Sequence, residues 1–218
     1  MNCWVVIPLQ APVPCKRRLD AVLDEAQRRE LTAELRRTAV GAASAVVGPC
    51  QVCLRGPSAD GLDGSTMRLG HPGSGLNHAL RKACDAALDA KVDRLVLSAD
   101  LPELVPDDIE ALLDQTRTAV AAAPDRPGRG TNALSLPLPE ATAYQFCFGP
   151  KSFAAHREVA IRHGLSFVAV ERARLAFDID WPADLAEWRG RMSVAPQLLP
   201  VISSSDPDPW EPSDAVIV

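Results

Sequence analysis

A basic excess is missing from this chain, whose formal net charge is −5. A duplex-nucleic-acid binder normally carries a basic stripe strong enough to show in the total, so nucleic acid is excluded as a partner and an anionic ligand would need a local basic pocket. Also missing is any apolar run near the roughly 18–20 residues of a membrane span. Met1-Asn2-Cys3-Trp4 opens straight into a strand-like segment rather than a charged signal-peptide start. The chain therefore reads as cytoplasmic, with no membrane partner. Cysteine is too sparse for a disulfide framework, at 6 in 218 residues. The one close pair, Cys50-Gln51-Val52-Cys53, lacks a second pair at zinc spacing, which leaves a lone metal or redox pair or, in preference, buried strand thiols. Gly-x-Ser-x-Gly, His-Glu-x-x-His, Walker A and Gly-x-Gly-x-x-Gly are absent. Hydrolase, zincin, P-loop and ordinary Rossmann readings thus have no support.

What is present is the composition of a soluble globular protein, 47% hydrophobic and 23% charged. Short apolar runs at Cys3–Pro8, Gln51–Leu54, Arg94–Ser98, Thr118–Ala122, Asn132–Leu136 and Ser166–Val170 read as strands. Helical spacing fills the gaps. Leu19, Leu23, Leu31 and Leu35 share a face of one or two helices, which leaves Arg28-Arg29 and Arg36-Arg37 for the solvated side. Further helices are expected at Leu76–Ala90, Pro106–Gln115, Pro150–His163 and Pro182–Arg189, with Pro150 suited to a first helical position. Gly56–Gly75 and Asp125–Gly130 read as loops. The alternation implies an α/β layered sheet in a single domain over residues 1–189. From Gly190 a Pro/Ser/Asp-rich tail follows, in which Val216-Ile217-Val218 could add a strand to its own or a neighbouring subunit. No internal repeat is visible, and a homodimer is only the base-rate expectation.

Chemistry concentrates in five segments. Leu95-Val96-Leu97-Ser98-Ala99-Asp100-Leu101-Pro102 is a buried strand that delivers Asp100 to its carboxyl edge, where open α/β sheets bind ligands; capping of the turn before Pro102 is the structural alternative. In Phe177-Asp178-Ile179-Asp180-Trp181-Pro182 the two aspartates point the same way on an extended backbone, as a magnesium site needs, although for Asp180 capping of the last helix is the preferred local reading. Phe148-Gly149-Pro150-Lys151-Ser152 can cradle a phosphate at a helix start, or be an ordinary loop-to-helix junction. His156 shares the helical face of Ser152 and reads as solvated. Gly130-Thr131-Asn132 offers turn N–H groups and a hydroxyl, or a plain hairpin. Lys16-Arg17-Arg18 follows the first strand, a basic helix start set against the dipole and within reach of nucleotide phosphates.

Taken in order, Val5-Val6-Ile7-Pro8 with Lys16-x-Arg18-Leu19, Gly75-Leu76-Asn77-x-Ala79-Leu80, Asp100-Leu101-Pro102, Gly130-Thr131-Asn132-Ala133-Leu134, Phe148-Gly149-Pro150-x-Ser152-Phe153 and Asp178-Ile179-Asp180-x-Pro182-x-Asp184-Leu185 resemble the phospholactate guanylyltransferase family of deazaflavin-cofactor biosynthesis. That family belongs to the nucleotidyltransferases with a molybdenum-cofactor-guanylyltransferase-like fold, so the resemblance implies a Rossmann-like three-layer α/β/α domain with a mostly parallel mixed sheet. The resemblance implies that the phosphate of a small phosphorylated hydroxy acid attacks the α-phosphate of GTP and releases pyrophosphate. It implies magnesium on Asp100 and Asp178, with Asp180 beside them, and an acceptor held by Thr131, Gly149 and Ser152. Pro8, Leu9, Lys16, Asn77 and Ser98 are the nucleotide-contact candidates, and Lys16 and Arg18 the charge-neutralising catalytic ones. An acceptor phosphate is already anionic at pH 7, so no strong general base is required.

The chain departs from the family at Gln10, where a lysine is usual, and at Trp181, where a threonine is usual. These departures lie near the expected pocket and favour a divergent acceptor such as 3-phospho-D-glycerate over 2-phospho-L-lactate or phosphoenolpyruvate. The competing readings are a nucleotidyltransferase for a sugar phosphate or a molybdenum cofactor, and a nucleotide-binding scaffold without activity.

Overall fold

A computed structural model of the chain describes residues 3–9, 16–48, 52–55, 67–69, 75–116, 119–138 and 144–194. Within them the order is β1 (Cys3–Pro8), a 3-10 turn (Arg17–Leu19), α1 (Glu25–Val47), β2 (Val52–Arg55), β3 (Met67–Leu69), α2 (Leu76–Asp89), β4 (Asp93–Leu97), α3 (Pro106–Thr116), β5 (Val120–Pro124), β6 (Thr131–Leu136), α4 (Ser152–Arg162), β7 (Phe167–Ala169), α5 (Ala173–Ala176) and α6 (Pro182–Val194). The sheet runs β3-β2-β1-β4-β6-β5-β7. Every pairing is parallel except those of β6, which runs against both β4 and β5. This is the expected mixed sheet, and its one reversed strand matters for the site.

Strand alternation builds the two faces. Val5, Ile7, Leu95, Leu97, Ala121 and Ala123 point to one side, where α1 and α3 cover them through Ala39, Ala43, Ile109 and Leu112. Val6, Val96, Val120, Ala122, Leu134 and Leu136 point to the other, against Leu80, Ala83 and Cys84 of α2 and Val159 and Ala160 of α4. A third cluster, Leu19, Leu23, Leu31, Leu35, Ile179 and Leu185, seats the 3-10 turn and α6 on α1. Burial of a large aliphatic side chain is worth about 1.5–3 kcal/mol, so this last cluster fixes both the turn that carries Lys16 and the Asp178–Asp180 segment. The start of α1 is set by a reciprocal cap: the Asp24 side chain accepts from the Gln27 N–H, and the Gln27 side chain from the Asp24 N–H.

Several expectations need correction. Arg36 is buried at 7% exposure, and Arg28 is mostly covered and paired with Asp20 at 2.9 Å. Only Arg29 and Arg37 take the solvated side, because the face of this helix that packs is wider than the leucine stripe. The 56–75 loop contains the short edge strand β3, and a one-turn helix, α5, went unread. Pro150 is not the first helical residue. Gly149 at φ 143 and Lys151 at φ 59 lie outside helical geometry, and the Ser152 N–H closes the turn onto the Gly149 carbonyl at 3.1 Å. The composition shift at Gly190 does not end α6, which continues to Val194. Cys50, the Cys53 side chain, Gln10 and the stretch from 195 onward lie outside the described residues. Among the described residues no helix is long and apolar enough to cross a membrane.

Candidate active site

β1 and β4 are parallel neighbours, and their carboxyl ends open on one rim of the sheet. Beyond β4 the Ser98 N–H bonds to the Asn132 carbonyl at 2.8 Å, and the Ser98 hydroxyl donates to Asp100 Oδ1 at 2.6 Å. The chain then approaches the 178–180 segment closely enough for the Ile179 N–H to reach the Asp100 carbonyl at 3.2 Å. Ile179 is fully buried. Extended geometry therefore turns its two neighbours, Asp178 and Asp180, to the opposite side, toward Asp100. One carboxylate oxygen of each of the three aspartates lies within 4.8 Å of the others.

Lys16 reaches this group from the first strand's exit. Its backbone is left-handed, φ 46, uncommon for a side-chain-bearing residue. Its Nζ donates to Asp100 Oδ2 at 2.8 Å, Asp180 Oδ1 at 3.0 Å and the Ile179 carbonyl at 2.6 Å. Arg18 donates to Asp180 Oδ2 at 2.8 Å, and its guanidinium lies 4.7 Å from the Trp181 ring centroid. Asp180 does not cap α6: the Asp180 and Trp181 N–H groups both donate to Asp184 Oδ2, at 3.1 and 2.8 Å. Asp184 serves the helix start, which leaves the Asp180 carboxylate to the cations.

The three carboxyls differ in their readiness to ionise. Burial pushes Asp100 up, but the Lys16 ammonium and the Ser98 hydroxyl outweigh it and hold the group below its usual value. For Lys16, burial works downward and the two aspartates overcome it, leaving the ammonium harder to deprotonate than usual. Among the described residues no cation pairs with Asp178. Burial, then the charges of Asp100 and Asp180, push it up to about 6. A group of hard oxygen donors with one member short of positive charge suits a divalent cation.

The second half of the site is neutral. β5 and β6 form a hairpin whose turn is held by Asp125, which accepts from the Arg129 N–H at 2.6 Å. A Cβ on Gly130 would stand 2.6 Å from that carboxylate, so any side chain there must push Asp125 aside. Thr131 opens β6 and lies 3.1 Å, oxygen to oxygen, from the Ser152 hydroxyl and 3.2 Å from His156 Nδ1. The Phe153 N–H bonds to the Arg129 carbonyl at 3.1 Å, which locks α4 to the turn. His156 is completely buried, not solvated as its helical position suggested: Tyr144 and Phe148 pack around it, with the Phe148 ring 4.7 Å away, centroid to centroid. Burial alone lowers its pKa to about 4.

The structure thus brings Lys16, Arg18, Ser98, Asp100, Asp178 and Asp180 into one group and Thr131, Ser152 and His156 into another, with Gly149 at the turn just before Ser152. Asn132 joins the groups. It follows Thr131 directly, and its Nδ2 donates to the Leu175 carbonyl at 2.9 Å and lies 3.5 Å from Asp178 Oδ1. Sequence reasoning named His156 but read it as solvated, and it gave Asn132 no role of its own; nothing but its position next to Thr131 could have raised Asn132. Pro8 ends β1 and Leu9 follows it; Leu9 is buried in the core, so it can offer a ligand only its main chain. Asn77 has both ends of its amide on Phe148, Nδ2 to the carbonyl at 2.9 Å and Oδ1 to the N–H at 2.8 Å. Any nucleotide contact from that amide requires the pair to open.

Solved nucleotidyltransferases share this fold. A nucleotidyl transferase from a Methanothermobacter species superposes with a TM-score of 0.59 at 12% identity, covering 89% of this chain and 99% of that one. A cytidylyltransferase from Leptospira borgpetersenii gives 0.56 at 11% identity, with 89% and 87% covered. These define the fold class. The family is defined by sequence: a family model described as guanylyl transferase CofC-like matches residues 3–190, and the chain belongs to that family. The phosphoenolpyruvate guanylyltransferase of Sphaerobacter thermophilus is 38% identical over 200 residues, 89% of this chain and 96% of that protein. The 2-phospho-L-lactate guanylyltransferase of Halorubrum lacusprofundi is 33% identical over 190 residues, 84% and 82% of the two chains. The chain is accordingly an enzyme of the nucleotidyltransferase class, a guanylyltransferase.

Proposed function

We propose that this enzyme transfers GMP from GTP to the phosphate of phosphoenolpyruvate or a closely similar phosphorylated acid, as a step in making a deazaflavin coenzyme. The carrying observation is the Thr131-Asn132 dipeptide: one residue stands in the hydroxyl group, the next faces Asp178. An acceptor seated at Thr131, Gly149 and Ser152 would then lie beside phosphates gathered at the aspartates. An acceptor phosphate oxygen forms the new bond to the α-phosphorus while the bond from that phosphorus to the oxygen of the departing pyrophosphate breaks. No proton has to be removed from the nucleophile, because an acceptor phosphate is already anionic at pH 7.

Asp100, Asp178 and Asp180 would hold magnesium, which when bound supplies charge neutralisation and orients the phosphates. Lys16 and Arg18 would then turn from the carboxylates toward phosphate oxygens, lowering the cost of gathering anions without moving far. Pro8, Leu9 and Ser98 would border the nucleotide. A cytoplasmic setting suits such substrates.

The sequence alone favoured 3-phospho-D-glycerate, partly because of Trp181. That side chain engages Arg18 on the aspartate side, which removes one reason for a divergent acceptor, and the relatives at 38% and 37% identity are named for phosphoenolpyruvate. The test is pyrophosphate release with magnesium and GTP against phosphoenolpyruvate, 2-phospho-L-lactate and 3-phospho-D-glycerate, with ATP and CTP as controls. GTP-dependent turnover with phosphoenolpyruvate is expected, and turnover with none of the acceptors would refute the proposal. Asp100→Asn should fold, by circular dichroism, yet lose at least about a hundredfold in kcat, the scale of removing one preorganised charge.

A further inference from the structure

Two hydroxyls and one imidazole form a short chain, and the direction of its hydrogens is fixed from an unexpected end. The Cys147 N–H points at His156 Nε2 at 3.0 Å. A backbone N–H can only donate, so Nε2 must offer its lone pair, and the single ring hydrogen of the neutral imidazole is left on Nδ1. Nδ1 faces Thr131 Oγ1 at 3.2 Å, which therefore accepts. Burial, which lowers the pKa of His156 to about 4, keeps the ring from taking a second proton.

Three hydrogens belong to the chain: one on Nδ1, one on Thr131 Oγ1 and one on Ser152 Oγ. Two are used, one from His156 to Thr131 and one between the hydroxyls, which are 3.1 Å apart. One hydroxyl hydrogen is left over, whichever way the hydroxyl pair is turned. With the other tautomer, a bare Nδ1 would draw the Thr131 hydrogen, Thr131 would draw that of Ser152, and none would remain.

We propose that His156 is a positioning residue, held as the Nδ1–H tautomer by the Cys147 peptide so that the Thr131–Ser152 pair presents a hydrogen-bond donor to the anionic acceptor. This inference rests on the reading of Thr131 and Ser152 as the acceptor site. A neutral donor chain is also what an anion needs here: it adds attraction without a buried ion that would have to be desolvated.

The test separates the two ring nitrogens. Asn at 156 can keep a donor near Nδ1 while abandoning Cys147; Gln can keep an acceptor near Nε2 while abandoning Thr131. His156→Asn is therefore expected to melt at a lower temperature yet keep an acceptor KM within about threefold of wild type. His156→Gln is expected to raise the acceptor KM about ten- to a hundredfold, the span of a hydrogen bond to a charged group, with the GTP KM nearly unchanged. Long-range proton–nitrogen NMR on histidine-labelled wild type at pH 7, the His156 signal identified by its loss in the Asn variant, should find the proton on Nδ1.

A proton on Nε2 overturns the inference, as does an unchanged acceptor KM in the Gln variant or an equal rise in both KM values. Should the Gln variant fail to fold, the ring signal and the Asn variant decide. Thr131→Val and Ser152→Ala keep the two failures apart. If these raise the acceptor KM and His156→Gln does not, His156 alone is wrongly assigned; if these also leave it unchanged, the acceptor site itself is misplaced and the inference falls with it.

Discussion

Asp178 stands where burial and two neighbouring carboxylates all resist ionisation, which brings its pKa to about 6. A folded value above the ordinary 3.8 means that the associated stability is present at low pH and is lost as pH rises through 6. Two units of separation correspond to about 3 kcal/mol. Asp178→Asn should therefore stabilise the metal-free protein by about 2 kcal/mol at pH 8 and leave it unchanged at pH 4, read from urea denaturation with a chelator present. Magnesium should reverse the order by stabilising only the wild type. A variant no more stable than wild type at pH 8 would show that the carboxylate bears no such load. His156 slopes the other way: with a pKa near 4, it adds stability above its unfolded value that is lost as pH falls. The two groups partly cancel across mildly acidic pH, so the wild type should respond less to pH there than either variant.

The hairpin joining β5 to β6 decides where Thr131 stands. In Gly130→Ala the new methyl must displace the Asp125 carboxylate, which is also tied to the Arg129 N–H. Crowding of this kind costs about 1–3 kcal/mol. The variant should lose that much stability and raise the acceptor KM more than that for GTP; equal effects on both substrates would mean that the turn does not aim Thr131. Elements of this size were legible in the sequence when they alternated or repeated over enough residues. β1 was read over its full span, and β4 and β6 to within a residue. β3, at 3 residues inside a Gly/Ser/Asp-rich stretch, and α5, at 4, were missed, whereas the equally short β7 was marked by its apolar run. Asp100 and the Asp178–Asp180 pair were legible because strand ends and two-residue spacing are local properties. The burial of His156 was not, since spacing along α4 reveals a face but not what packs on it. Nor was the choice between Asp180 and Asp184 as the cap of α6, because both residue types fit and only the cations at Asp180 decide.

Across the whole molecule, the reversed direction of β6 brings the beginning of a strand to a rim otherwise made of strand ends. Residues far apart in the chain share that rim, and their division is uneven. Lys16, Ser98 and Asp100 come before α3 ends, while Thr131, Ser152, Asp178 and Asp180 all come after β5 begins. Severed between Thr116 and Ala119, the enzyme would yield two pieces, each owning part of the acidic group and only the second owning the hydroxyls. Neither piece should release pyrophosphate by itself. Tethered to two proteins that bind each other, the pieces should regain turnover through the pairing of β4 with β6; activity in an isolated piece would contradict the shared site. The same reversed strand that completes the rim thus makes the chain a divisible reporter of molecular encounter, silent until its halves meet.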